Sequence, residues 1–161
     1  MNARIFSGIL LLILCCGISF SGCFWQSVLP PKLDLNKSEC GRCRMSILES
    51  RYIAAIDGPI LFDDIGCMLF ALEDHKESPA HIWVCDYQKN IWLDARTAAY
   101  VYAPMLGTPM NSGYVALSDS IAAVNLASYV HGVAYASWDE LVLSFRLRTI
   151  EFIANRLRVY F

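Results

Sequence analysis

Thiols and thioethers stand two or three residues apart in Cys40-Gly41-Arg42-Cys43-Arg44-Met45 and side by side in Cys67-Met68, and Met110 sits in a Thr108-Pro109-Met110 turn. Thiolate and thioether sulfur together select monovalent copper over hard cations such as magnesium. The candidate ligands are Met45 and Met110 first, then Cys43 and Cys40, then Met68 and Cys67. A thioether stays competent where thiols are oxidised to disulfides, which is why the methionines lead. Each methionine also has a plain reading as core filler, strongest for Met68 beside Leu69 and near Leu72. Asp63 and Asp64 are placed to assist a metal, although one of them is needed to cap the helix that follows. The histidines are scattered, and His131 before Gly132 reads as a helix end.

Other cysteine chemistries fit less well. Cys40, Cys43, Cys67 and Cys85 allow three disulfide pairings in an oxidising compartment. Cys40 and Cys43 bridging each other is one of them. A Cys-x-x-Cys redox pair belongs between a strand and a long helix. This one follows a linker ending at Glu39 and precedes the charged Glu49-Ser50-Arg51. Arg44 stands where a c-type haem site needs histidine. A four-cysteine zinc site needs a second close pair, and Cys67 and Cys85 are 18 residues apart.

The compartment follows from the leader. Arg4 precedes an apolar run from Ile5 to Phe20, and Ser21-Gly22 places small residues before Cys23. The run is shorter than the roughly 20 residues a spanning helix needs. Residues 1–22 resemble a bacterial lipoprotein signal, with lipid carried on Cys23 and the domain held at a membrane, facing the periplasm. The outer membrane is slightly favoured, because Phe24 replaces the aspartate that retains some lipoproteins at the inner one. Residues 23–37, with Pro30-Pro31, read as a tether. Without Arg4, twelve Lys and Arg face fifteen Asp and Glu. A mildly acidic chain with no basic stretch is not suited to nucleic acid.

Elements that position the sulfurs can be read in outline. Tyr52–Ile56 reads as a strand, Asp57-Gly58 as a hairpin turn, and Ile60–Phe62 as its return. Asp63 or Asp64 caps a helix carrying Cys67 and Met68 and ending near His75. His81–Cys85 and Ile91–Leu93 read as a second hairpin, followed by an Ala-rich turn over Ala95–Ala99. Gly113–Leu117 reads as a strand, Ser118 or Asp119 as a cap, Ile121–Val130 as a helix, and Val133–Ala136 as a strand. Phe62-Asp63-Asp64-Ile65 lies over Leu117-Ser118-Asp119-Ser120-Ile121, a weak internal repeat. The expected fold class is α+β, with helices covering antiparallel or mixed sheet.

Phe62-Asp63-Asp64-Ile65-Gly66-Cys67-Met68-Leu69, preceded by Cys40-x-x-Cys43-x-Met45, resembles the NosL family of nitrous-oxide-reductase accessory lipoproteins. The likeness continues through Asp86-Tyr87, Trp92-Leu93-Asp94-Ala95, Ala99-Tyr100-Val101 and Thr108-Pro109-Met110-x-Ser112-Gly113, over residues 38–141. It implies paired ββαβ units related to the organomercurial lyase fold, and a non-enzymatic copper chaperone. Such a protein binds Cu(I) and delivers it to nitrous oxide reductase or its maturation machinery. Arg44 departs from the family, where many members have glycine. The tail, residues 142–161, has no counterpart there.

Two other classes compete with the chaperone. One is an enzyme, either a thiol-disulfide oxidoreductase using Cys40 and Cys43 or a lyase, for which Asp64 is the nearest proton donor in sequence. The other is a lipoprotein whose sulfurs only brace the fold. From Trp138 the tail reads as an amphipathic helix, with Leu143, Leu147, Ile150, Ala154, Leu157 and Phe161 on one face. Its arginines suit either an anionic membrane or partner, or solvent with the apolar face packed on the domain.

Overall fold

The structure is a computed structural model that describes residues 29–57, 60–74 and 79–158. The leader and Cys23 lie outside these residues, as do Gly58, His75 and Phe161. The first sheet contains β1 (Ala54–Ile56), β2 (Ile60–Phe62), β3 (Ile82–Cys85) and β4 (Trp92–Asp94), with α1 (Ile65–Asp74) between β2 and β3. A 3-10 turn at Ser50–Tyr52 occupies the expected start of β1, so the strand begins at Ala54. The second sheet contains β5 (Ala99–Tyr102), β6 (Tyr114–Leu117) and β7 (Val133–Tyr135), with α2 (Ser120–Tyr129) between β6 and β7.

The orders are β2-β1-β3-β4 and β6-β5-β7, and every strand pair is antiparallel. In each unit the first strand is central, the second and third flank it, and the helix joins the flanking two. The faint sequence echo is thus a repeat of topology, and the fold is α+β as expected. One element was misread. The turn after β4 ends at Thr97, and Ala99 already belongs to β5, the centre of the second sheet. This strand shows no polar alternation because both of its faces are covered. Tyr100 enters the core between the sheets, whereas Ala99 and Val101 enter the core beneath α2.

The main core lies between the two sheets. Ala54, Ile56, Phe62 and Val84 meet Tyr100, Tyr114 and Ala116, and α1 adds Ile65, Met68 and Leu69. Each large apolar side chain fully buried here contributes roughly 1.5–3 kcal/mol. Asp86 joins the units. It makes a parallel bridge to Ala116, and its carboxylate accepts the N–H groups of Gln88, Lys89 and Ser118 at 2.9, 2.8 and 2.8 Å. Burial pushes its carboxyl up, but hydrogen bonds from Lys89, Ser118 and Gln88 outweigh that and hold it below the usual range.

The tail forms α3 (Trp138–Arg158), and of the two roles open to its regular apolar stripe, packing on the domain is not the one seen. Trp138, Leu141, Val142 and Phe145 pack on the core, whereas Leu143, Leu147, Ile150, Ala154 and Leu157 are exposed. Arg148 is not simply solvated either. Its guanidinium lies 3.7 Å from the Tyr102 ring centroid and donates to Tyr135 Oη at 2.6 Å, pinning the helix to the second sheet. No helix of the described residues is long and apolar enough to cross a membrane.

Candidate metal centre

The first two sulfurs are delivered by a tight loop. Cys40 N donates to Met45 O at 2.9 Å and Arg44 N to Cys40 O at 3.0 Å, closing the segment on itself. Gly41 N donates to Leu61 O at 2.7 Å, which lays the loop across β2. A Cβ at Gly41 would collide with Ile60, so glycine permits this approach. Arg44 has φ 66°, the left-handed region that glycine enters freely.

The next two donors come from the turn between β2 and α1. Asp63 and Asp64 are adjacent, so their side chains diverge, and the structure separates their tasks. Asp64 is fully buried and structural. Its Oδ1 accepts Gly66 N at 2.6 Å and the Ser112 hydroxyl, and its Oδ2 accepts Met110 N at 3.1 Å. It starts α1 and fastens the Thr108–Gly113 loop to it. Asp63 turns the other way, toward the thiols. Its Oδ2 accepts the Cys43 thiol at 3.4 Å, and its Oδ1 is buried with no partner. Cys67 arrives from the first turn of α1.

The sulfurs of Cys40, Cys43 and Cys67 and a carboxylate oxygen of Asp63 all lie within 4.8 Å of one another. Cys40 and Cys67 are buried, and Cys43 is half-buried. The proximity of the two sulfurs pulls the Cys40 thiol down and pushes the Cys67 thiol up. Burial opposes the Cys40 thiolate, and the backbone of Cys43 and Asp63 favours it. Burial first, then the neighbouring Cys40 charge, raises Asp63; burial likewise raises Cys43. The cluster thus gathers four ionisable groups largely away from water.

No known family model matches the chain, and no curated protein does.

The donor set fits a soft or borderline cation. A tetrahedral ion about 2.3 Å from sulfur keeps its ligands about 3.8 Å apart, so a contraction of at most about 1 Å would complete the shell. The unpartnered Asp63 oxygen is the atom that such an ion would satisfy. These residues therefore form a site able to hold a metal ion.

The other expected ligands lie around this cluster. Met45 is half-exposed and, with Leu48, Tyr52, Asp63 and Pro109, lines a cavity of about 220 Å³ that reaches the carboxylate. Met110 is 42 % exposed and is tied by its N–H to Asp64. Met68 is fully buried in the core between the sheets with Cys40 and Cys67. Cys85 lies in the separate core on the opposite face of the first sheet, its thiol 3.4 Å from Asn90 Oδ1 and raised to about 11 by burial and then by Asp86. The four cysteines among the described residues are free thiols. His81 pairs with Asp57 at 3.0 Å, and His131 is exposed at the end of α2. Sequence reasoning did not distinguish Asp63 from Asp64, and the hydrogen bonds of Asp64 are what separate them.

Proposed function

We propose that the chain is a copper chaperone that holds Cu(I) on Cys40, Cys43 and Cys67 and passes it to a copper enzyme. The observation that carries this reading is the convergence of three thiols on Asp63, which has an unpartnered carboxylate oxygen and also lines the cavity walled by Met45. Three sulfurs suit monovalent copper, and Asp63 supports them from beside the ion. A carrier must also let go. Met45 at the cavity and Met110 at the surface offer exposed thioethers onto which the ion can step, one sulfur at a time.

Nitrous oxide reductase, or its maturation machinery, is the recipient that the resemblance to NosL suggests. A lipid on Cys23 would keep the site at the periplasmic face of a membrane. Titration of the reduced chain with Cu(I) against a competing chelator tests the reading. One tightly held equivalent is expected, lost in Cys67→Ser and weakened in Met45→Ala and Met110→Ala. Zinc retained when Cu(I) is offered, or no copper bound, would overturn it.

A second reading is favoured by Asp63. A carboxyl whose pKa is raised by burial, beside three thiols, suits protonolysis of a carbon–metal bond, with thiolates taking the metal and the acid giving its proton to carbon. Incubation with a phenylmercury salt should then release benzene. If mercury is bound and no benzene appears, this alternative is gone.

A further inference from the structure

The long helix carries apolar residues on two sides; the domain covers one of them only as far as Phe145, leaving Phe152 and Ile153 64 and 52 % exposed, and covers none of the other. Leu143, Leu147, Ile150 and Leu157 are 60, 54, 62 and 56 % exposed, and Ala154 between them is exposed too. Their spacing is four, three, four, three, and Phe161 stands at the next step of four. That is the alternation of a coiled-coil seam, in which every side chain of the stripe returns to a partner helix. At 3.6 residues per turn the stripe lies well away from Trp138, Leu141, Val142 and Phe145, so a helix can lie along it without disturbing the docked face.

Charge identifies the occupant. Arg146 and Glu151 border the stripe on opposite sides and are five residues apart. In two parallel, two-fold-related helices those positions face each other, so each Arg146 meets the other copy's Glu151. In the single chain Arg146 reaches Glu73 at 2.7 Å, an exposed pair that exchanges at little cost. An anionic membrane fits less well. The borders of the stripe carry Asp139, Glu140 and Glu151 against Arg146 and Arg158. Arg148 is turned onto Tyr102, and Arg156 falls on the docked side of the helix. The stripe is therefore bordered by three acids and two arginines, without the excess of positive charge that lipid binding favours.

We propose that α3 pairs in parallel with α3 of a second copy of this chain, along the seam from Leu143 to Leu157. The seam spans little more than two heptads, so the pairing is weak and reversible, and the protein's concentration sets its occupancy. Two differently tagged copies of the full chain, co-expressed with photoreactive p-benzoylphenylalanine in place of Leu147, report the contact. Irradiation should join the two tags. The same probe at Phe152, equally exposed but on the opposite side of the helix, should yield at least tenfold less. Ile150→Asp in both copies should reduce the Leu147 product at least tenfold, with the unfolding midpoint unchanged. Arg146→Glu should lower it several-fold, and adding Glu151→Arg to the same chain should restore it. Equal products from both probe positions, adducts to lipid in place of the second tag, or no rescue by the charge swap would each overturn the proposal.

Discussion

Asp64 and Asp119 occupy equivalent places in the two ββαβ units, and each accepts the N–H two residues further on, at 2.6 and 2.7 Å. Their surroundings differ. Asp119 faces solvent and caps α2, of which only Ala123 and Ala127 are buried. Asp64 is fully buried, and α1 presses Ile65, Gly66, Cys67, Met68 and Leu69 inward. The residues that matter for a metal diverge in step. Asp63 and Cys67 of the first unit correspond to Ser118 and Ala122 of the second. One frame therefore serves twice, and its chemistry depends on how deeply the helix start is sunk. Only the sunken copy gives sulfur and carboxylate a dry place to meet.

The largest expected effect is on metal affinity. Cys67→Ser should weaken the site by about 100-fold or more, since even residues that only orient ligands are worth about 10–100-fold. Ala122→Cys, the equivalent change in the second unit, should add no site. Chelator competition measures both, and a new equivalent in Ala122→Cys would break the comparison.

The two caps come next. Asp64→Ala leaves Gly66 N, Met110 N and the Ser112 hydroxyl without their acceptor. It should cost about 3 kcal/mol. Asp119→Ala removes an exposed N-cap and should cost about 1 kcal/mol. Urea unfolding reads the difference, and equal losses would mean that burial adds nothing to the first cap.

Between the units, Asp86→Ala should cost about 2 kcal/mol, because it frees three N–H groups that water partly re-solvates. Its folded carboxyl lies below the ordinary range, so its stabilisation is present above the unfolded pKa and is lost as pH falls through the folded value. The stability gap between the parent chain and Asp86→Asn should therefore shrink on acidification from pH 7. A gap that widens would reverse the assignment.

How much of this was legible in the sequence depends on whether the signal was local. Caps, hairpins and the Cys-x-x-Cys loop announce themselves within a few residues, and the repeat could be traced from Asp64 and Asp119. Strand β5 could not, because burial on both faces erases the alternation that marks a strand. The division of labour between Asp63 and Asp64 was invisible, since it depends on Ser112 and Met110 returning from nearly fifty residues away. The period of α3 was readable, but its docked face was not. The sequence holds two apolar stripes, and the more regular one is the one left exposed.

The smallest expected effects compare two strained residues, one in each unit. Arg44 and His131 adopt φ 66° and 50°, both left-handed. Glycine at either position relieves about 1–2 kcal/mol of steric cost. It also adds unfolded-state freedom worth about 0.4–1 kcal/mol against folding. His131→Gly should thus stabilise by about 0.5–1 kcal/mol. Arg44→Gly gains the same relief but loses the exposed Arg44–Glu39 pair at 3.2 Å, worth about 0–1 kcal/mol. Its net gain should be smaller, and the difference between the two variants estimates that pair. Because Arg44 closes the loop through its backbone N–H to Cys40 O, metal affinity should survive the change. If Arg44→Gly lowers affinity tenfold while leaving stability unchanged, the side chain acts on the metal centre, and the two left-handed positions are not comparable after all.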